Sequence, residues 1–236
     1  SLEIRHFVND GPIDVRGYSL FEQSLQSLAW LAGAYGLYKQ NANRAGIVQT
    51  WGFSLLGGLA TVQIIVLQIL LFNPLKTGVS VWETPVLNLL FFAYGLPALF
   101  ALLFFFEARK QKDLIVEKLS GAATLILIFI TITLEIRQMF QGEFIKFGPT
   151  SNGEWYSYSV AWLVYAGILL ALGILKQSKD LRYASLVLVL MTVSKVFLWD
   201  MAELEGLYRV GSFFALGGCL IGIGYVYQRF LLKNQT

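Results

Sequence analysis

Between residues 46 and 72 the chain carries no Lys, Arg, Asp or Glu. A helix needs about 20 apolar residues to cross the hydrocarbon core of a bilayer. In lipid every backbone polar group must be satisfied internally, by helices or by a closed barrel. A run this long and this continuously apolar is unlike a barrel strand, which alternates, so a membrane helix is expected. Six further runs share this character, at about 24–38, 84–106, 119–140, 155–175, 183–199 and 210–230. Pro97 is expected to kink the third helix of the chain. The chain is 56% hydrophobic and only 14% charged, against roughly 25% charged in soluble domains. The expected fold is all-α, a polytopic transmembrane bundle of about seven helices.

Composition also excludes chemistry. One histidine, His6, and one cysteine, Cys219, cannot supply a zinc site of the usual kind or an intrachain disulfide. No glycine-rich phosphate loop follows a strand pattern. No cofactor and no metal are expected, and the net charge of +3 gives no reason to expect nucleic acid. The expected partners are membrane lipid, upstream helices of a longer chain, or other membrane subunits.

The stretch "TLEIRQMFQGEF" at 133–144 echoes the opening "SLEIRHFVND". A shift of 132 places Leu2, Glu3, Ile4 and Arg5 on Leu134, Glu135, Ile136 and Arg137. The same ungapped shift places Glu22 on Glu154, Ser27 on Ser159, and Ala29, Trp30 and Leu31 on Ala161, Trp162 and Leu163. This reads as an internal repeat. Its period spans four helices, an even number, so both copies face the same way and the repeat is parallel. The first copy is expected over 1–140, opening on the last turn of a truncated helix and followed by four membrane helices. The second, incomplete copy covers 141–236 with three.

Lysine and arginine are biased to one side of these runs. Lys39, Arg44, Arg109, Lys110, Lys112, Lys176, Lys179, Arg182, Arg229 and Lys233 fall together, and the positive-inside rule makes that side cytoplasmic. The chain is therefore expected in a bacterial inner membrane, with its C-terminus in the cytoplasm and residue 1 outside. The loops at 1–18, 73–83 and 141–154 are then external.

The segment "KVFLWDMAELEGLYRVGSFFALGGCLIGIGYVYQRF" at 195–230, with "NLLFFAYGLPALF" at 88–100 and the paired "LEIR" and "YSVAW" pieces, resembles the C-terminal part of a family of large bacterial multi-pass membrane proteins, domain of unknown function 2339. The resemblance implies a longer chain with more helices upstream. It implies no activity.

Charges within the apolar runs mark the candidate site, because a charge at mid-membrane costs about 2.5–3.5 kcal/mol on insertion scales. Lys195 is the first candidate, and it falls on Gln63 at the shift of 132. Asp200 falls on Gln68. Five residues turn a regular α-helix by about 140°, so Lys195 and Asp200 are expected on different faces, with Glu135 as the preferred partner of Lys195. Glu135 and Arg137, two apart, should point to different sides. Arg209 sits at a helix start, where a cation is disfavoured, so Glu203 or Glu205 is its expected partner. Glu154 completes the set. Trp82, Trp155, Tyr156, Tyr158 and Trp199 are expected at the external interface.

Three functional classes follow. The first is a transporter or translocation-pathway component of the envelope with a polar site toward the external face, favoured by the parallel repeat and buried charge. The second is a membrane-embedded enzyme acting on a lipid-linked or glycan substrate, with Glu135, Glu154 and Asp200 as acid–base candidates. The third is an envelope scaffold. A dry, fully paired core would favour the scaffold, a closed external cleft with paired carboxylates the enzyme, and a continuous polar path the transporter.

Overall fold

A computed structural model describes residues 19–43 and 46–197, with isolated positions between 214 and 225. The fold divides into two units, residues 1–149 and 150–236. The described residues are helical, apart from loops and a single bridge between Ser80 and Phe144.

In the first unit, α1 (Leu20–Asn43) packs on α2 (Ile47–Val62). The α2 rod continues without a break as a π-helical stretch, π1 (Gln63–Leu71). A one-turn helix, α3 (Pro74–Thr77), opens on Asn73, whose Oδ1 accepts the Leu75 N–H at 3.0 Å. A second π-helical stretch, π2 (Phe91–Gly95), leads into α4 (Leu96–Gln111). Pro97 lies just past that stretch, and a local π turn is one way to re-satisfy carbonyls that a proline leaves without a donor. Lys112, at φ 60°, and Asp113 then turn the chain into α5 (Leu114–Gln141). Asp113 caps α5 through the Val116 N–H at 3.2 Å and accepts the Tyr38 hydroxyl of α1 at 3.2 Å. The core of this unit runs along α1, π2, α4 and α5 through Leu31, Ala34, Tyr94, Phe104 and Leu127. Tyr38, Phe53 and Phe104 form a ring cluster, with centroids 4.7–5.9 Å apart.

The second unit contains α6 (Asn152–Leu175) and α7 (Lys179–Lys195), an antiparallel pair. The two approach closely at Gly173, where a Cβ would sit 3.0 Å from the Arg182 backbone nitrogen. Ser185 Oγ donates to the Ala166 carbonyl at 2.9 Å and ties the pair together. Val196 and Phe197 carry α7 on into π winding.

Among the described residues, four helices are long and apolar enough to cross a membrane: Ile47–Thr77, Phe91–Gln111, Leu114–Gln141 and Asn152–Leu175. Their exposed faces carry Leu55, Leu70, Leu99, Ile126, Val164 and Ile168, which in water would be an unusually large apolar surface. The third apolar run starts later than expected. Residues 83–88 form bends, and helix begins only at Leu89. Pro85 lies within this stretch, and Trp82 and Val86 take left-handed backbone at φ 70° and 68°, which breaks the helix despite the apolar composition. Most of the seventh run, Cys219 included, falls outside the described residues.

Candidate functional site

In the first unit, three glutamines gather at one end of the α1–α2 pair. The Gln63 carboxamide donates to the Gln23 main-chain carbonyl at 3.0 Å, and the Gln68 carboxamide donates to the same carbonyl at 3.1 Å. Gln68 Nε2 also donates to Ser27 Oγ at 2.8 Å, and Ser27 Oγ donates onward to the Ser24 carbonyl. The Tyr94 hydroxyl donates to the Gln68 main-chain carbonyl at 2.7 Å. Gln63 and Gln68 are five apart. On an α-helix they would diverge by about 140°, but a π-helix closes its bonds at i→i+5, which brings them to one side. The divergence expected of Lys195 and Asp200 concerns a pair of the same spacing, of which Asp200 lies outside the described residues.

In the second unit, Lys195 reaches from the last turn of α7 to the first turns of α6. Its ammonium donates to the Trp155 carbonyl at 3.0 Å and to Ser159 Oγ at 2.8 Å, and stands 4.7 Å from the Trp155 ring centroid. Lys195 is only 7% exposed.

The two sets fall on one register. Shifted by 132, Leu20–Asn43 becomes the span of Asn152–Leu175, and Ile47 lands on Lys179. The donor at 63 and its acceptor at 23 land on Lys195 and Trp155, and Ser27, which accepts from Gln68, lands on Ser159, which accepts from Lys195. Ser19 Oγ accepts the Glu22 N–H at 3.1 Å, and Ser151 Oγ accepts the Glu154 N–H at 3.2 Å, again 132 apart. Ala34 and Ala166 are both fully buried, and so are Ala60 and Thr192.

The "LEIR" charges act on loops. Glu135 Oε2 accepts the Val86 N–H at 3.3 Å and Asn88 Nδ2 at 3.0 Å. Gln138, one turn on, bonds Asn88 and the Trp82 carbonyl. Arg137 points elsewhere: its guanidinium donates to the Lys146 carbonyl and, at 3.4 Å, to the Gly148 carbonyl. The pair thus face different sides, as their spacing requires. A left-handed conformation at a β-branched residue such as Val86 costs of order 1–3 kcal/mol, and the Glu135 contact helps to hold it.

Glu154 is 1% exposed and accepts the Tyr158 hydroxyl at 2.7 Å. Asp200, Glu203, Glu205, Arg209 and Trp199 lie outside the described residues, as do Glu3 and Arg5. Among the described residues no three His, Cys, Asp or Glu side chains group as a metal site. Sequence reasoning missed the glutamine cluster and the paired helix caps. The caps had a signal, since "SLFE" at 19–22 and "SNGE" at 151–154 both match the S-x-x-E capping pattern. The π winding had none.

Comparison with curated proteins and with solved structures finds no match. A family model does match, over residues 1–230, nearly the whole chain. With four membrane-length helices among its described residues, the chain belongs to the family of predicted membrane proteins called DUF2339.

Proposed function

We propose that this membrane protein is a transporter or translocation-pathway component of the bacterial envelope, built from two parallel copies of one helical unit, over 1–140 and 141–236. Each copy carries a polar site toward the external face. The observation that supports this best is the pair of matched donor sets, Gln63 and Gln68 on Gln23 and Ser27, and Lys195 on Trp155 and Ser159. Buried polar side chains in membrane helices are costly and mark substrate or ion pathways. A scaffold gains nothing from repeating them at the same register in both copies. The first copy argues further against a dry scaffold, because Gln23, Gln63 and Gln68 keep buried amide atoms without protein partners among the described residues.

The enzyme reading is weaker. Glu135 is engaged with the Val86–Asn88 loop and Glu154 with Tyr158, which leaves neither placed as one of a pair of acid–base carboxylates. The shift of 132 also places Asp200 on Gln68 in the sequence, although Asp200 lies outside the described residues.

Accessibility tests the reading without a known substrate. In a Cys219→Ser background, Ser27→Cys and Ser159→Cys are exposed to a membrane-impermeant thiol reagent in intact cells and in inverted vesicles. A pathway component should be labelled at these positions from both faces. Labelling from neither face would leave the scaffold, and labelling from outside alone would favour the enzyme.

A further inference from the structure

The hydrogen bonds of the glutamine cluster fix which way its amides point. Gln63 and Gln68 both direct Nε2 at a carbonyl, which can only accept. Ser27 Oγ spends its proton on the Ser24 carbonyl, so it too must accept from Gln68 Nε2. Flipping either amide would set oxygen against oxygen. Gln63 Oε1 and Gln68 Oε1 are therefore acceptors, and neither has a donor among the described residues. Gln23 adds a whole carboxamide, Nε2 and Oε1, likewise without a partner. These side chains are 4%, 0% and 1% exposed, in the order 63, 68, 23. Polar atoms buried this deeply are nearly always met by protein, water or ligand.

The unmet set specifies its ligand. It holds three acceptor oxygens and one NH2 donor, and no formal charge. An anion would face the acceptors, and a cation would face the NH2. A neutral molecule with two O–H donors and a lone pair suits both kinds of atom. Buried water commonly makes about three hydrogen bonds to such groups.

We propose that Gln23, Gln63 and Gln68 form an internal hydration site, in which water donates to Gln63 Oε1 and Gln68 Oε1 and accepts from Gln23 Nε2. The second unit fills the equivalent place with the Lys195 ammonium, so hydration belongs to the first unit's site. The π winding is what makes the site, because it alone brings positions 63 and 68 to one carbonyl. This inference does not depend on transport. A protein that moves nothing would still need these atoms met.

The test uses the full chain in lipid nanodiscs. Gln23→Met deletes a carboxamide that bonds no protein group among the described residues, so its effect on stability has opposite signs in the two cases. If water is bound, the variant removes one of the water's partners and the thermal midpoint falls, by about 2–4 °C for a loss near one hydrogen bond. If the cluster is dry, the variant removes two stranded polar atoms and the midpoint rises. A rise would overturn the proposal. Water-edited solid-state NMR on the unmutated protein with labelled glutamine is the independent measurement. Early transfer from water to the Gln63 and Gln68 side-chain amides is expected, and transfer no faster than to the core around Tyr94 would overturn it. Exchange of sodium chloride for choline chloride at equal ionic strength should leave the midpoint unchanged. A sodium-dependent rise that Gln63→Leu abolishes would replace water with a cation and overturn the neutral ligand.

Discussion

Lys195 differs from Gln63 by a charge, yet both donate to a helix carbonyl at 3.0 Å. That likeness ranks substitutions. Lys195→Met removes the bonds to the Trp155 carbonyl and Ser159 Oγ and should cost about 1.5–3 kcal/mol, the usual range for hydrogen bonds to charged groups. Lys195→Gln should recover most of the loss, since an amide can donate to the same carbonyl as Gln63 does. Denaturation of purified protein in detergent measures the order, and equal losses for Met and Gln would deny the equivalence. A double-mutant cycle then separates two partners for the charge. Coupling of Lys195→Met with Asp200→Asn should exceed coupling with Glu135→Gln, because the shift of 132 sets Lys195 and Asp200 on Gln63 and Gln68 while Glu135 holds the Val86–Asn88 loop.

At the scale of elements, apolar run length located the helices, and capping chemistry set where they begin. The run at 24–38 becomes Leu20–Asn43 because Ser19 caps five residues upstream of the apolar start. The run at 84–106 shortens because Pro85 and the left-handed Trp82 and Val86 turn the chain first. Pro85 was visible in the sequence; the left-handed residues were not, since neither tryptophan nor valine ordinarily signals positive φ. The candidate site was half legible. Lys195 stood out as a charge in an apolar run, whereas the glutamines looked idle until π winding brought them together. The caps give a direct comparison of the two units. Ser19→Ala and Ser151→Ala should each lower stability by about 1 kcal/mol, read as matched shifts in thermal midpoint. A loss confined to one of them would set the two helix starts apart.

At the scale of the whole molecule, the charge bias predicts an orientation that the loops allow to be checked simply. Asn152 and Lys176 bracket α6 at opposite ends, and both are exposed. Single cysteines at these positions, in the Cys219→Ser background, should label from opposite faces, Asn152→Cys from outside and Lys176→Cys from the cytoplasm. Labelling of both from one face would remove α6 from the set of spans.

The two clamps of the "LEIR" motif also differ in when they can close. Chains emerge from the ribosome from the N-terminus at about 5–20 residues per second. By the time Glu135 is made, Val86 and Asn88 already exist, so its loop can be seized as soon as α5 is inserted. Arg137 must wait for Lys146 and Gly148, which follow it in the chain. During that interval a guanidinium at the mouth of the membrane has yet to meet its carbonyls. The loop that satisfies it is also the one that carries the ribosome on to Ser151 and the second unit. The order of synthesis therefore settles the first unit's loops one after the other, the earlier one at once and the later one only as α6 begins to be made.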